Sequence, residues 1–450
     1  MTVSEHAAPD PQAPDRTTVW VDVTNTLAVA YVTGLQRLTR ELLTRLPGPD
    51  STEPVRFVPV RWCEECDGFK RLDAAERDRL ENFRSPTDPE RSRLAKLGDP
   101  LPERAKTAAR VVVHSPPVRS LRDEIARRRR SRDHPASHAE QLISSWPANS
   151  YFLDLEAAWH NTPTRDILLP RLRREGVTTA TLVADVIPEM FPEWFDANQI
   201  ELFDRFIRAH LQHSEMFPCI STCSERDLIA FARKVGITRP LDTSVVAMGA
   251  NFTRAADDLA RPAEAPPGRY ILSVGTVEPR KNHGLLIDAF ERLCGTYHDL
   301  SLVFVGKSGW MTAEVIERMR SHPELGARFV WPENVSDDLL DAFYRHAYLS
   351  VQPSFYEGFG APVVEALGNG VPTLASTGGA LPEAGGEWAE YFDPHDVDAL
   401  IALIDRHYGD PAHHEEMRKR LVDYRPPTWE DGAADLLAAF AGRHPGPRNT

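Results

Sequence analysis

The stretch that decides the fold is PSFYEGFGAPVVEAL, residues 353–367. The apolar run 349–352 before it is typical of a buried strand, and Pro362 marks the first turn of the helix that follows. Glu357 therefore lies in the loop and Glu365 about one turn into the helix, where both carboxylates can face one cleft. Because a carboxylate accepts paired hydrogen bonds from vicinal hydroxyls, the pattern favours binding of a ribose or hexose ring. In the alternative interpretation, one glutamate is exposed and the other is structural.

A second loop, GTVEPRKN at 275–282, lies between the strand-like run 270–274 and a helical segment. Gly275 permits a tight turn, the helix start offers unpaired N–H groups, and Arg280 and Lys281 add two cations beside them. This combination predicts a pyrophosphate site. A solvated basic turn is the alternative interpretation.

Strands and helices alternate along the rest of the chain, which favours an α/β architecture with parallel sheets covered on both faces. Strand-like runs occur at 19–23, 56–60, 151–153, 179–183, 216–221 and 244–247, and then at 270–274, 300–305, 328–331, 349–352, 373–375 and 390–392; helical segments include 35–46, 194–211, 225–235 and 283–293. We therefore predict two doubly wound, Rossmann-like domains that face a central cleft, with the functional residues in the loops after the strands.

These patterns predict an order of domains along the 450 residues. Residues 1–18 form a disordered N-terminus, 19–250 an N-terminal Rossmann-like domain with a charged insert at about 63–141, 251–268 a proline-containing linker, 269–425 a C-terminal Rossmann-like domain, and 426–450 a helix that crosses back to the N-terminal domain, with a tail.

The composition describes an acidic, soluble globular chain. Lys and Arg number 52 against 66 Asp and Glu, a formal net charge of −14, which argues against nucleic acid as a partner. No run approaches the roughly 18 apolar residues of a membrane span, and the N-terminus lacks the basic and apolar regions of a signal peptide, so we expect a cytoplasmic protein.

Five cysteines do not indicate a disulfide framework, and the lone pair Cys63 and Cys66 is interpreted as ordinary thiols. Half of a zinc site or a redox pair is the alternative.

The insert has a different charge from the rest of the chain. Between Leu101 and Gln141, ten basic residues stand against five acidic ones, and four arginines are consecutive, Arg127 to Arg130. One interpretation is a patch that contacts an anionic lipid surface or an anionic acceptor, which would make the protein peripheral at the inner membrane face. The alternative is a solvated helix or a mobile insert.

The sequence is similar to a known family at the stretch 353–367. Glu357 and Glu365 have the E-x7-E spacing of retaining glycosyltransferases of family 4, which have the GT-B fold. Further segments resemble the donor domain of the same family, in the same order: SVGTVEPRKNHGLLIDAF, LVFVGKSGW, VSDDLLDAFYRHA, GNGVPTLAS and LPEAGG. The resemblance covers nearly all of residues 270–394.

The N-terminal half resembles the family through fewer motifs. VDV at 21–23 and TGLQR at 33–37 look like the family's first strand and glycine loop. DVIPEMFPE at 185–193 resembles a segment that usually reads His-Asp or Tyr-Asp, then Leu-Ile-Pro. Ala184 stands where the ring residue is common, a position that can touch the donor sugar in the family.

The resemblance implies transfer of a sugar from a nucleotide-diphosphate sugar to a hydroxyl acceptor, which would be a glycan, a lipid-linked glycan or a small metabolite. It also implies retained anomeric configuration and a front-face reaction, in which the leaving phosphate oxygen takes the acceptor proton. The N-terminal domain would bind the acceptor and the C-terminal domain the donor. Carried over by motif, the catalytic residues are Arg280 and Lys281, which stabilise the departing diphosphate, and Glu357, which binds sugar hydroxyls; the donor-binding residues are Gly34, Gly275, Gly358, Phe359, Gly360, Ala361 and the ribose-binding Glu365.

Asp154, His160 and Asp185 follow strand-like runs and are the candidates for the acceptor side. Asp396 and Asp398 match a metal-binding D-x-D pattern, but they precede an apolar helix and are interpreted as helix-capping residues. We therefore expect no metal and no cofactor. Two other functions stay open, a GT-B nucleotide-sugar epimerase and a non-catalytic GT-B-like partner subunit.

Overall fold

The computed structural model describes residues 16–29, 34–83, 141–250 and 259–443. The chain divides into two compact units, residues 60–145 and the remainder. Most of the predicted N-terminus and charged insert, the Arg127 to Arg130 run and the first half of the predicted linker lie outside the described residues.

A largely parallel sheet forms the core of the N-terminal half. Its strands in chain order are β1 (Thr17–Asp22), β2 (Val55–Cys63), β3 (Gly68–Arg71), β4 (Ser150–Asp154), β5 (Thr178–Thr181), β6 (Met216–Cys219) and β7 (Asp242–Val245). Their order in the sheet is β3-β2-β1-β4-β5-β6-β7. Strands β1, β4, β5 and β6 are buried along their whole length, as expected for parallel strands covered on both faces. The direction of winding reverses between β1 and β4, which makes their carboxyl ends a switch point.

The helices of the N-terminal half are α1 (Thr24–Ala28), α2 (Gly34–Leu43), α3 (Ala74–Glu81), α4 (Arg165–Arg174), α5 (Ile187–Met190), α6 (Ala197–His213) and α7 (Thr222–Lys234). Three of them begin at side chains that accept a backbone N–H: Asp73 for α3, Asp196 for α6 and Ser221 for α7. Phe203, Phe206 and Leu228 belong to the apolar core that α6 and α7 form.

The unit of residues 60–145 contains the end of β2, strand β3 and helix α3. β2 and β3 pair antiparallel, with Val60 opposite Arg71 and Cys63 opposite Gly68. All five cysteines of the chain, Cys63 and Cys66 among them, are free thiols. Burial raises the pKa of the Cys63 thiol to about 11, which keeps it protonated and unreactive at neutral pH.

A second sheet forms the core of the C-terminal half. Its strands are β8 (Arg269–Val274), β9 (Leu300–Val305), β10 (Phe329–Val330), β11 (Leu349–Gln352), β12 (Thr373–Ser376) and β13 (Glu390–Phe392), in the order β10-β9-β8-β11-β12-β13. Every pairing is parallel. The winding reverses between β8 and β11, so this sheet also has a switch point at the carboxyl ends of two neighbouring strands.

The helices of the C-terminal half are α8 (His283–Leu293), α9 (Ala313–Arg320), α10 (Asp337–His346), α11 (Ala361–Gly368), α12 (Leu381–Gly385), α13 (Val397–Gly409), α14 (Pro411–Arg420) and α15 (Trp429–Phe440). Asp396 caps α13 by accepting the N–H of Ala399, and Asp398 pairs with Arg292 on α8. Among the described residues, no helix combines the length and the apolar character that crossing a membrane would require.

The last helix, α15, packs on the first sheet. The ring of Phe440 lies 5.2 Å from that of Tyr151 and 5.8 Å from that of Phe57, between centroids. At the other end of the helix, Trp429 lies so close to Gly249 that a β-carbon there would come within 2.4 Å of it. The C-terminal helix, which follows the second sheet along the chain, therefore packs on the first half by apolar contacts.

Candidate functional site

The switch point of the second sheet brings the two loops of the sequence analysis together. β8 and β11 are neighbours, with Leu349 opposite Ile271, and both run in the same direction. The loops 275–282 and 353–360 therefore leave the same edge of the sheet side by side. The N–H of Phe355 donates to the carbonyl of Arg280 at 2.8 Å, which fixes one loop against the other.

Arg280, Lys281 and Glu357 form one charge cluster. Nζ of Lys281 lies 2.6 Å from Oε1 of Glu357, and the Arg280 guanidinium donates to Oε2 of the same carboxylate. The guanidinium also pairs with Glu278 at 2.6 Å and donates to the carbonyl of Tyr356 at 3.0 Å. The carboxylates hold both cations in fixed positions, so little reorganisation is needed when an anion arrives.

The electrostatics keep Glu357 ionised. Burial raises the pKa of its carboxyl, but the Arg280 guanidinium and the Lys281 ammonium outweigh burial and lower it to about 2. The hydroxyl of Ser354 donates to Oε1 at 2.6 Å, and the amide of Gln352 lies 3.4 Å away. Glu357 is thus a fixed negative charge at neutral pH rather than a proton donor.

Glycine residues at the strand ends make room for this cluster. Gly275 has φ +150°, and a β-carbon there would lie 3.3 Å from Cε of Lys281. Gly306, at the end of the neighbouring strand β9, has φ +154°, and its β-carbon would lie 2.0 Å from the carbonyl oxygen of Gly275. Only glycine allows both the backbone angle and the close approach at these positions, so no side chain projects from the backbone there.

Glu365 is buried on α11 and is contacted from two sides. The Tyr344 hydroxyl donates to Oε2 at 2.8 Å, and the Arg37 guanidinium pairs with Oε1 at 3.2 Å. Burial raises the pKa of Glu365, and Arg37 opposes this change. Because Arg37 belongs to α2 on the first sheet, the ion pair joins the two halves of the chain beside the predicted ribose position.

The loop after β11 also contacts the first half through Gly358. A β-carbon at Gly358 would lie 2.7 Å from the carbonyl oxygen of Ala184 and 2.9 Å from Cβ of Asp185. The hydroxyl of Ser221 donates to the carbonyl of Gly358 at 2.6 Å, and that of Ser224 to the carbonyl of Ala184 at 2.6 Å. The backbone contact requires a residue without a side chain at position 358.

The start of α7 is capped by the other half of the chain. The N–H groups of Thr222 and Cys223 donate to the two carboxylate oxygens of Glu383 on α12, at 2.8 and 3.1 Å. Beside them, the hydroxyl of Tyr356 donates to Asp227 of α7 at 2.6 Å. These three polar contacts therefore bind α7 to α12 and to the loop after β11.

The remaining predicted donor residues surround α11. Gly360 takes φ +101° as the N-cap residue of the helix, Ala361 is its first residue, and Phe359 packs on the apolar cluster around Val363. Gly34 is the first residue of α2, and a β-carbon there would meet no atom within 4 Å. The structure therefore brings Gly358, Phe359, Gly360, Ala361 and Glu365 to one loop and helix start, with Gly34 on the same helix as Arg37.

The three acceptor-side candidates lie in different surroundings. Asp185 is half-buried beside Gly358, and its Oδ1 accepts the N–H of Ile187 at 3.0 Å. Burial raises the pKa of Asp185, and Arg280 opposes this. His160 is exposed next to Trp159. Asp154 is fully buried, so its oxygens belong to the interior and not to an open surface.

Asp154 is part of a buried network at the switch point of the first sheet. Arg165 donates to both Asp154 oxygens and to Asp22, and Nε2 of His210 lies 3.0 Å from Asp154. Burial alone would raise the pKa of Asp154, but Arg165 and His210 lower it to about 2. Both carboxylate oxygens of Asp154 have hydrogen-bond partners, which supports a structural role for this residue.

Sequence reasoning missed several residues of the site. They are Arg37, Ser221, Ser224, Tyr344, Ser354 and Glu383. Ser354 and Glu383 stand inside stretches that the sequence analysis singled out, and Arg37 ends the TGLQR segment. The sequence motifs around these three residues could have marked them as candidates. Only the packing of the two halves shows which partner each one contacts.

Comparison with known proteins gives a family match for the C-terminal half of the chain. Residues 257–425, less than half of the chain, match the family model described as Glycosyl transferases group 1. The chain is similar to the serotype-specific mannosyltransferase WbdA of Escherichia coli, with 28% identity over 293 residues that cover 62% of this chain and 35% of that protein. It is also similar to O-antigen chain mannosyltransferase B of Escherichia coli, with 29% identity over 290 residues that cover 60% of this chain and 71% of that protein. This chain therefore spans only about a third of the length of WbdA.

A solved structure extends the comparison to almost the whole chain. Sucrose-phosphate synthase from Thermosynechococcus elongatus superposes with a TM-score of 0.53, covering 94% of this chain and 98% of that one at 17% identity. At this identity the match concerns the fold alone. The fold is α/β of the GT-B type, with two doubly wound Rossmann-like halves, as predicted, and the resemblance of the C-terminal half to glycosyltransferases is confirmed.

Proposed function

We propose that this chain transfers a sugar from a nucleotide-diphosphate sugar to a hydroxyl acceptor. The observation that carries the proposal is the cluster of Arg280, Lys281 and Glu357 at the carboxyl ends of β8 and β11. Two cations held by a buried carboxylate at a switch point suit a ligand that carries both phosphates and hydroxyls. The group 1 family match over 257–425 supports the same class of reaction.

In the proposed reaction, the diphosphate leaves with its negative charge held by Arg280 and Lys281. One hydrogen bond of the Lys281 ammonium is directed at Glu357, and an ammonium has three N–H groups, so two more are available for phosphate oxygens. The guanidinium likewise has donors beyond those that bind Glu278 and Glu357. Fixed cations in a partly buried cleft stabilise the charge that develops on the leaving group.

The carboxylates would orient the sugars of the donor. Glu357 stays ionised and accepts hydrogen bonds from hydroxyls of the transferred sugar, while Glu365 accepts them from the ribose. Arg37 and Tyr344 hold Glu365 in place for this. Of the three acceptor-side candidates, Asp185 is the one that lies against the loop of Glu357, beside Gly358.

We propose retention of anomeric configuration by a front-face reaction without a protein nucleophile. Glu357 is the carboxylate at the centre of the site, and its pairing with two cations makes it a poor nucleophile. We also propose that the reaction needs no metal, because Arg280 and Lys281 fill the leaving-group role and Asp396 caps α13. Inversion of configuration, measured by NMR of the product, would contradict the first point.

We further propose mannose as the transferred sugar. The support is the similarity to two mannosyltransferases, each covering about 60% of this chain. The acceptor would be a hydroxyl of a glycan, a lipid-linked glycan or a small metabolite, bound by the N-terminal half.

The test is an assay of nucleotide release by purified protein, in the presence of EDTA, with a panel of UDP, GDP, dTDP and ADP sugars that includes mannosyl donors. We expect release from a mannosyl donor, increased by a glycan acceptor. Release of an isomerised free sugar without acceptor would indicate an epimerase. Absence of release from every donor, with and without metal and acceptor pools, would favour a non-catalytic binding subunit.

A further inference from the structure

A cluster of one glutamate and three histidines lies away from the site described above. Oε2 of Glu390 is 2.6 Å from Nε2 of His407 and 3.4 Å from Nε2 of His413, and these three atoms all lie within 4.8 Å of one another. Glu390 is the first residue of β13, His407 lies near the end of α13, and His413 lies in the first turn of α14. Three separate elements therefore converge on one point.

We propose that Glu390, His407 and His413 bind a divalent transition metal ion of the zinc type. Imidazole nitrogen and carboxylate oxygen are the ligands that zinc takes, and two histidines with one glutamate form a known ligand set. Ligand atoms around a tetrahedral zinc lie roughly 3.3 Å apart, given metal–ligand distances of about 2.0 Å. The 3.4 Å pair has this spacing, and the 2.6 Å pair is a hydrogen bond whose proton the metal would replace.

A second shell supports the histidine ligand. Nδ1 of His407 faces Nδ1 of His414 at 3.1 Å, and the ring of His414 stacks on Tyr348 with centroids 3.7 Å apart. When Nε2 of His407 binds a metal, its proton must sit on Nδ1, where His414 accepts it. The stacked ring is held in place for that hydrogen bond, as the outer partner of a ligating histidine usually is.

The cluster is accessible and far from the proposed chemistry. His407 is fully buried, but the side chains of Glu390 and His413 are 16% and 21% exposed, so an ion can enter and a water can complete its coordination. Arg406 pairs with the other oxygen of Glu390 and orients that carboxylate. Glu390 begins β13, at the opposite edge of the sheet from the loops that follow β8 and β11, so the ion would cross-link three elements rather than take part in sugar transfer.

The experiment uses tag-free full-length protein, stripped with EDTA and titrated with Zn²⁺ by calorimetry. We expect one ion per chain and a rise of roughly 5 °C in Tm at saturation. His413→Ala should weaken binding at least about tenfold and remove the Tm rise; the matched control His298→Ala removes an exposed histidine and should change neither. His414→Phe keeps a ring on Tyr348 and should also weaken binding about tenfold.

Co²⁺ offers a second readout that adventitious surface histidines do not give. We expect a visible absorption spectrum of a four-coordinate Co²⁺ ion in the wild type, and its loss in Glu390→Gln. If Zn²⁺ does not bind, or if His413→Ala and His298→Ala bind it like the wild type, the proposal is overturned and the cluster is a hydrogen-bonded network. None of these outcomes depends on sugar transfer.

Discussion

Nζ of Lys281 lies 2.6 Å from Oε1 of Glu357, although 76 positions separate the two residues along the chain. The parallel pairing of β8 with β11 produces this contact, because it sends both loops out of the same edge of the sheet. Neither loop alone contains the whole charge cluster. One loop supplies the two cations, and the other supplies the carboxylate that positions them. The pair is therefore the first target for mutation.

Lys281→Ala should lower kcat/KM by about 10²–10³-fold, because one of two fixed cations that stabilise the leaving phosphates is lost. Steady-state nucleotide release measures this, with circular dichroism to confirm folding. The matched control is Lys234→Ala, an exposed lysine at the end of α7, which should retain wild-type activity. Turnover near wild type in Lys281→Ala would contradict the site assignment.

The ion pair between Arg37 and Glu365 should set the affinity for the donor nucleotide. Arg37→Ala and Glu365→Gln should each weaken nucleoside diphosphate binding about tenfold in calorimetry, and the double variant should lose less than the sum, because the residues are in contact. Arg45→Ala serves as control, since Arg45 pairs with surface glutamates and is about as exposed as Arg37. Strictly additive losses would show that Arg37 does not act through Glu365.

Gly358→Ala should reduce kcat/KM by about a hundredfold, because its β-carbon would push the Glu357 loop away from Ala184. The overlap should also lower the free energy of unfolding by about 1–3 kcal/mol. Gly295→Ala, in the turn after α8 with open space around it, should instead change the free energy of unfolding by less than about 0.5 kcal/mol and leave activity unchanged. Unchanged activity in Gly358→Ala would show that the backbone contact is dispensable.

The charge on Glu357 predicts a pH dependence of stability. Its folded pKa of about 2 lies below the ordinary value of 4.5, so its contribution is present above pH 4.5 and is lost as pH falls toward 2. That contribution is roughly 3 kcal/mol. Urea unfolding between pH 3 and 7 should show wild type losing its advantage over Glu357→Gln as the pH falls. A constant difference between the two proteins would contradict the ionised, paired carboxylate.

Asp154 and Asp185 should respond differently to amide substitution. Asp154→Asn leaves Arg165 buried with one fewer charge partner and should cost about 3–5 kcal/mol of unfolding free energy. Asp185→Asn should keep most of the stability and lower turnover, with a higher KM for the acceptor. Thermal unfolding and steady-state kinetics on both variants separate the roles; normal stability in Asp154→Asn would return it to the acceptor-side candidates.

Local signals in the sequence predict most of the second half of the fold. The apolar runs 270–274, 300–305 and 373–375 are strands within one residue of their observed bounds, because buried parallel strands are continuous apolar segments. Helix α6 is less well predicted: the expected 194–211 is observed as Ala197–His213, since Asp196 caps it. Strand β3, Gly68–Arg71, was missed because it includes Lys70, whose burial depends on tertiary packing.

The candidate site also contains contacts that local sequence signals predict and contacts that depend on tertiary packing. Arg280, Lys281 and Glu357 stand in loops that follow apolar runs, so their convergence follows from the parallel sheet. The partners of Glu365 could not be predicted this way. Arg37 and Tyr344 reach it from two helices far apart in sequence, and only the packing of α2 and α10 against α11 makes the contacts. Likewise, nothing local distinguishes the buried Asp154 from the half-buried Asp185.

The capping of α7 by Glu383 has a consequence for motion. Thr222 and Cys223 lie at the start of the helix, where backbone N–H groups have no partner within the helix, so a movement of α12 away from α7 would leave both amides without this acceptor. The stability of the first turn of α7 is therefore tied to the position of a helix in the other half of the chain, and hydrogen exchange at these two amides reports on that contact in the intact protein.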